Sequence, residues 1–462
     1  MTANWKNRTL WTGDNLDIMR GMNSHSVDLI YLDPPFNSNR DYAAPIGSQA
    51  AGAAFKDTWA LSDVDEAWHG EIADREPALY AIIDAAGLAH GKGMKSYLIM
   101  MAVRLMEMHR ILKPTGSVYL HCDPTASHYL KMLMDAVFGP GRFRNELSWR
   151  RSNPKSHGKK NFPNCRDIIF RFTKTEDCTF NQVFGEHNPE YVRTAYKYRE
   201  PDGRRYRLLP LLNPNNDRPN LTYEFLGITR VWRWTRKRME QAYQDGIVVQ
   251  LKPGAVPQYK KYLDESKGRT ITNDWRDIEQ AAGNEYIDYP TQKPLALLDR
   301  IIRVSSNPGD MILDPFCGCA TALVAADRLQ RQWVGIDLSS LAAKLVNKRL
   351  RDDAAGKDAG SGKLFFEIHH RTDIPARTDL GPLPDYRTHK HTLYGRQEGL
   401  CNGCRVMFPF RNMTIDHIIP QSRGGGDHLK NLQLLCGACN STKGTGTQEE
   451  LIARLKAQGL RN

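Results

Sequence analysis

Residues 28–42 read DLIYLDPPFNSNRDY: an apolar run, then Asp33, Pro34, Pro35 and Phe36 in immediate succession. Proline fixes its own φ and has no backbone N–H, so two prolines leave a carbonyl directed outward just past the strand. A carboxylate beside such a carbonyl is an acceptor-only clamp, suited to an exocyclic –NH2 group. Accepting both amino hydrogens would draw that nitrogen towards a tetrahedral form with a free lone pair, ready to attack an electrophilic methyl. Phe36 would offer a face for stacking a base, which must first be flipped out of its duplex. The bland alternative is an edge-strand terminus with a Pro-Pro turn and Phe36 in the core.

The chain repeats the idea 281 residues later as MILDPFCGCATALVAADRL, residues 311–329. Asp314 would end a strand, Gly318 would permit a tight turn, and a helix would follow. In WVGIDLS a second strand would end at Asp337. Strand, turn, helix and strand with a terminal acid form a nucleoside cradle: the acid accepts both ribose hydroxyls, and the turn opens backbone N–H groups to a small molecule. A full G-x-G-x-x-G is missing, which fits a cofactor without phosphates, such as S-adenosylmethionine. An ordinary strand–helix corner is the alternative.

Cys401, Cys404, Cys436 and Cys439 form two C-x2-C pairs, the spacing of a closed tetrahedral Zn2+ site. A unit this small needs such a staple. The other five cysteines are irregularly spaced, and Cys317 and Cys319, inside the second turn, suit packing better than nucleophilic attack.

These residues need elements to hold them. The 462-residue chain implies two or three domains. From Leu10 to about Gly139, apolar strands (VDLIYLD, SVYLHCD) alternate with helices, one ended by Pro114 and Gly116 and the next by Gly139. That rhythm implies a parallel sheet, and it resumes after TQKP, residues 291–294. Between Arg144 and Lys261 there are 24 Lys+Arg against 12 Asp+Glu, a surplus equal to the chain's whole net charge of +12. A basic block interleaved with aromatics suits a polyanion, and Trp232, Arg233, Trp234, Arg236, Lys237 and Arg238 are its densest part. A solvated basic face, or a helix packed by its tryptophans, is the alternative. No apolar run approaches a membrane span, and the N-terminus shows no signal-peptide pattern, so a cytosolic protein with no membrane partner is expected.

DPPF and DPFCGCAT…VGID resemble the catalytic and cofactor motifs of the site-specific DNA amino-methyltransferases. Their order, catalytic motif first and TQKP with the cofactor motif last, looks like the beta class. The resemblance implies a Rossmann-like S-adenosylmethionine-dependent sheet with an inserted target-recognition region. It makes Asp33, Pro34, Pro35 and Phe36 the amino-group clamp. It assigns Asp314, Phe316, Gly318 and Asp337 to the cofactor, with Gln292, Lys293 and Pro294 near its methionine end and Asp14 of GDN as a further site residue. Asp at the first clamp position resembles adenine N6 enzymes more than cytosine N4 enzymes. One departure is Ala320, where the family frequently has Gly.

DHIIP, KNL and CNSTKG, set within the cysteine frame, resemble HNH endonucleases of the ββα-metal type. By that match His417 is the general base, Asp416 and Asn440 hold Mg2+, and Asn431 braces the loop carrying the base; Asn440 departs from the family's usual His. The resulting expectation is a catalytic half over 1–142, a recognition region over 143–285, a cofactor half over 286–350, a linker over 351–390 and a nuclease domain over 391–462. His369, His370 and the histidines at 389 and 391 fall to linker or surface. Double-stranded DNA is the expected partner, a homodimer is left open, and a restriction–modification role is implied. The alternative is a methyltransferase whose zinc module only binds DNA.

Overall fold

A computed structural model describes residues 2–35, 40–43, 54–57, 68–70, 72–73, 76–153, 160–289, 291–357, 367–379 and 385–461. By chain contacts the protein divides into one unit of Met1–Asn181 with Asn273–Asn462, and a second of Gln182–Thr272.

The larger unit is built on a nine-stranded sheet. Its strands are β1 (Thr9–Thr12), β2 (Val27–Leu32), β3 (Leu112–Cys122), β4 (Phe143–Arg150), β5 (Arg166–Thr173), β6 (Asp274–Trp275), β7 (Met311–Asp314), β8 (Gln332–Asp337) and β9 (His369–Arg371). Their order across the sheet is β6-β4-β5-β3-β2-β7-β8-β1-β9. Strand β5 runs antiparallel to both its neighbours, and every other pairing is parallel. All six residues of β2 and all four of β7 are buried, as expected of central parallel strands covered on both faces.

Helix α1 (Asn15–Gly21) follows β1, and α2 (Pro77–His90), α3 (Lys92–Ile111) and α4 (Ser127–Phe138) flank β3. Helices α5 (Leu295–Ser305), α6 (Thr321–Arg328) and α7 (Ser340–Lys357) accompany β7 and β8. Helix α3 is buried on almost every side from Met94 to Ile111. It ends at Ile111, before the expected breakers, because β3 begins at once; Pro114 and Gly116 then shape the start of that strand. Gly139 closes α4 at φ +92°, with its N–H on the Asp135 carbonyl, the stop that the sequence implied.

From the neighbouring pair β2 and β7 the chain moves off in opposite directions, to β3 on one side and to β8 on the other. This reversal is a topological switch point, where a crevice opens beyond the carboxyl ends of the strands. Leu29 and Ile30 pair with Ile312 and Leu313, so Asp33 and Asp314 emerge together. At the opposite end of these strands Asp28 accepts from the Met311 N–H (2.8 Å) and from Lys113 (2.7 Å), fixing the register.

Three expected boundaries shift. Strands β4, β5 and β6 belong to the main sheet, so the separate unit between the two halves is 182–272 rather than 143–285. Part of the expected linker is structure: α7 runs to Lys357 and β9 pairs with β1. Asn4 holds the Ala376 carbonyl (2.8 Å) and Asn23 accepts from the Thr378 N–H (2.8 Å), so 367–379 docks on the N-terminal segment.

The unit 182–272 has antiparallel strands and a core of Leu211, Phe225, Trp232, Met239 and Val248. Residues 385–461 have a core of their own, including Leu393, Met413, Leu434, Leu435 and Leu451. There β10 (Met413–His417) pairs antiparallel with β11 (Leu432–Cys436), followed by α8 (Gly437–Lys443) and α9 (Gln448–Ala457), which a Thr447–Glu450 capping box starts. Tyr386 and Leu393 already pack here, so the unit begins ahead of residue 391. No helix among the described residues is long and apolar enough to cross a membrane.

Candidate functional site

The crevice is lined by acids whose backbones the strand ends hold. Asp33 leaves β2 with a side chain 18% exposed; Pro34 is buried and Pro35 half-buried. Lys293 Nζ donates to Asp33 Oδ2 at 2.5 Å and to the Thr291 carbonyl at 3.3 Å. Asp33 Oδ1 is buried and has no hydrogen-bond partner among the described residues. Phe36 lies outside the described residues.

On β7, Asp314 accepts from the Phe316 N–H (3.1 Å), and burial pushes its carboxyl well above the ordinary range. On β8, Asp337 accepts from Gly318 N–H (2.9 Å) and Ser339 N–H (2.8 Å) while burial raises its carboxyl too. The turn between them is tight. Gly318 sits at φ +46°, and a Cβ there would lie 3.1 Å from the Tyr289 hydroxyl. Ala320 adopts φ +65°, the left-handed region that explains why glycine suits this position. Cys317 and Cys319 are buried, with thiols raised by burial, which suits packing.

Two candidates also bond the protein itself. Asp14 caps α1 through the Leu16 N–H (2.8 Å) and receives Arg104 NH2 (2.8 Å). Arg104 also donates to Asn15 Oδ1 (2.6 Å), and Asn15 Nδ2 donates to the Pro315 carbonyl (2.7 Å). GDN therefore braces the DPF turn 300 residues away. Gln292 spends its amide on the chain: Oε1 accepts from the Ile287 N–H (3.0 Å) and Nε2 donates to the Glu285 carbonyl (2.7 Å). Pro294 is the N-cap of α5.

A buried polar line also crosses the sheet. The Tyr31 hydroxyl meets His121 Nδ1 (3.0 Å), His121 Nε2 meets Asp167 Oδ2 (3.1 Å), and Asp167 Oδ1 lies 3.3 Å from Arg151. Sequence reasoning missed these residues, together with Asn15, Arg104 and Tyr289. Of these only Asn15, inside GDN, carried a signal; the others come from strands and helices whose pattern reports burial alone.

In the 182–272 unit, Trp232 is fully buried and its Nε1 donates to the Tyr223 carbonyl (2.8 Å). Its expected DNA contact is thus corrected: a ring inside the core has no face for a base. Trp234 is half-buried beneath Arg238, whose guanidinium is 4.2 Å from its ring centroid. Arg233, Arg236, Lys237 and Arg238 are exposed, although Arg233 and Arg236 also donate to the carbonyls of Leu212 (2.9 Å) and Glu224 (3.1 Å).

In the C-terminal unit the sulfurs of Cys401, Cys404, Cys436 and Cys439 lie within 4.8 Å of one another. The Cys436 N–H points at Cys401 Sγ (3.2 Å) and the Cys439 N–H at Cys436 Sγ (3.4 Å). Burial pushes the Cys401 thiol up, but hydrogen bonds from the N–H groups of Cys436, Cys404 and Gly403 outweigh it and leave the thiol below its ordinary value. Four converging sulfurs fit a tetrahedral metal.

His417 ends β10. Its Nε2 meets Asp427 Oδ1 at 2.8 Å, and its ring packs on Tyr386 with centroids 5.0 Å apart. Hydrogen bonding to His417 holds the Asp427 carboxyl below its usual range. Asn431 accepts from the Ile419 N–H (2.9 Å) and donates to the carbonyls of Ile419 (3.0 Å) and Gly426 (2.9 Å), pinning the loop after the histidine. Asp416 Oδ2 receives Gln433 (3.0 Å) and the almost fully buried ammonium of Lys443 (2.9 Å). Lys443 also donates to the His417 carbonyl (2.7 Å). Asn440 is half-buried on α8.

Comparison with known proteins agrees with this geometry. A family model described as DNA methylase matches residues 27–348, and one described as HNH endonuclease matches residues 401–456. The chain belongs to the DNA methylase family and carries a C-terminal HNH endonuclease domain. Type II methyltransferase M.EcaI of Enterobacter cloacae is 27% identical over 395 residues, covering 84% of this chain and 78% of that protein. The type III restriction-modification enzyme StyLTI Mod subunit of Salmonella typhimurium is 27% identical over 372 residues, and this chain spans 54% of its length and is itself covered over 76%. DNA adenine methyltransferase YhdJ of Escherichia coli is 23% identical over 346 residues, covering 74% of this chain and 82% of that protein.

Proposed function

We propose that the chain transfers a methyl group from S-adenosylmethionine to the N6 amino group of adenine in duplex DNA, and that its HNH domain cleaves DNA. The observation that carries the first half is the Asp33 carboxylate at the switch point, with one oxygen on Lys293 and the other buried and without a partner among the described residues. An acceptor in want of a donor suits an amino group. With the outward carbonyl of the Pro34–Pro35 pair it would take both amino hydrogens and hold the nitrogen lone pair towards the cofactor side. Asp337, Gly318, Phe316 and Asp314 suit a nucleoside with no phosphate. S-adenosylmethionine, when bound, supplies an electrophilic methyl on a positive sulfur. Adenine is favoured by Asp at the first clamp position and by the likeness to YhdJ.

The exposed Arg233, Arg236, Lys237 and Arg238 are read as contacts to the DNA backbone, and the likeness to a restriction-modification subunit supports a role in marking host DNA. In the HNH domain, His417 would take a proton from water, with Asp427 setting the ring; an imidazole suits this near neutral pH. Asp416 and Asn440 would hold Mg2+ against the scissile phosphate, and Zn2+ would close the four-sulfur site. One observation favours the second reading, a module that binds DNA without cutting it. The Lys443 ammonium already sits on Asp416 and lowers the anionic charge left for a divalent ion.

Single-molecule sequencing of DNA from cells expressing the protein, together with transfer of labelled methyl to unmethylated DNA in vitro, tests the first half. N6-methyladenine at one short motif is expected, abolished by Asp33→Ala; N4-methylcytosine would overturn the choice of base. Incubation with Mg2+ or Mn2+ tests the second. Nicking that His417→Ala removes, with methylation intact, is expected; no nicking by the wild type decides for the binding module.

A further inference from the structure

We infer that Lys293 is a positioning residue for Asp33, holding that carboxylate in one orientation so that Oδ1 is a dedicated acceptor for the target amino group. This rests on the methyltransferase reading and moves Lys293 from the cofactor's methionine end to the amino-group clamp. Lys293 is 6% exposed, and its ammonium ties down one carboxylate oxygen while the other is buried and without a partner among the described residues.

The segment that delivers the lysine is built for aim. Gln292 closes a loop onto Glu285 and Ile287, and the Glu285 side chain accepts from the Leu295 N–H at the start of α5 (2.5 Å). Thr291 adopts φ +64°, a left-handed conformation that a β-branched residue rarely takes and that surrounding structure must impose. Its carbonyl receives the same ammonium, so the backbone of the turn and the lysine head are fixed together.

Among the described residues Lys293 is the cation that pairs with Asp33. Without it the carboxylate is free to turn about its χ2, the two oxygens exchange places, and the acceptor aimed at the –NH2 is no longer fixed, although the cofactor could still bind.

The test compares Lys293→Met and Lys293→Arg with the wild type by single-turnover methyl transfer at saturating cofactor and by calorimetric binding of S-adenosylhomocysteine. Lys293→Met should lower the transfer rate by about tenfold or more. Affinity for the nucleoside should stay within about threefold. Lys293→Arg should restore most of the rate. An unchanged rate at saturating cofactor with affinity down tenfold or more would show that Lys293 serves the cofactor and would overturn the inference. Should Lys293→Met fail to fold, Asp33→Asn in the same chain should restore folding, because no unpaired charge remains; a defect that persists in the double variant refutes the pairing. Wild-type protein that moves no methyl would refute the methyltransferase reading instead, while the folding comparison would still decide the pairing.

Discussion

Asn15 offers a strict test of how the cofactor turn is held. Its amide is buried between Arg104 and the Pro315 carbonyl, two groups that sequence places 89 and 300 residues away. Asn15→Ala removes one neutral hydrogen bond, worth about 0.5–1.5 kcal/mol, and one to a charged donor, worth about 1.5–3 kcal/mol. A loss of roughly 2–4 kcal/mol in the methyltransferase unit follows, because neither buried group has water to replace its partner. Asn15→Asp separates the two bonds. The carboxylate still accepts from Arg104, but it faces the Pro315 carbonyl with a second acceptor, so the turn should loosen while the Arg104 contact survives. Guanidinium unfolding followed by tryptophan fluorescence, with calorimetry of S-adenosylhomocysteine, reads both effects. The Asp variant should retain more stability than the Ala variant yet lose at least tenfold in affinity, about 1.4 kcal/mol. Affinity unchanged in both variants would refute the claim that GDN braces the turn.

Three further outcomes are expected. Ala320→Gly relieves a left-handed alanine at φ +65° and should raise stability by about 0.5–1 kcal/mol in thermal melts, the steric gain exceeding the entropy lost. Chelation, or Cys439→Ala, should unfold the C-terminal unit and release one metal equivalent per chain in a colorimetric zinc assay while methyl transfer persists, because the four sulfurs join elements that share one small core. His109 packs on Phe138 at 5.1 Å, and burial, then Lys174 and His25, push its pKa down to about 4. The unfolded chain therefore binds the extra proton below about pH 6.5, and stability should fall as pH drops from there towards 4. By linkage the fall is roughly 2–3 kcal/mol, and His109→Gln should flatten that part of a denaturation profile.

Much of the site was legible because its chemistry sits in contiguous motifs. Asp33 with two prolines, Asp314 and Asp337 at strand ends, and the paired cysteines each need a residue type at a fixed spacing, and spacing is what a sequence records. The strands MILD and QWVGID and the Gly139 stop were equally readable, since burial on both faces and a left-handed helix end leave strong local signatures. Trp232 misled because an aromatic among arginines looks the same whether its ring is offered to a base or closed inside a core. Only long-range packing tells the two apart.

What no local pattern could supply is partnership. That Lys293 reaches Asp33, that Asn15 reaches Pro315, that Lys443 sits on Asp416 and that Asp427 meets His417 are results of where strands and turns come to rest. The residue types at these places are common, and their meaning comes from distances of a few ångströms between points far apart in the chain. The sequence by itself determined which atoms could accept, donate or bind a metal. The tertiary structure decided which of them face one another, because only sheet order and register bring the ends of β2 and β7 to the same crevice.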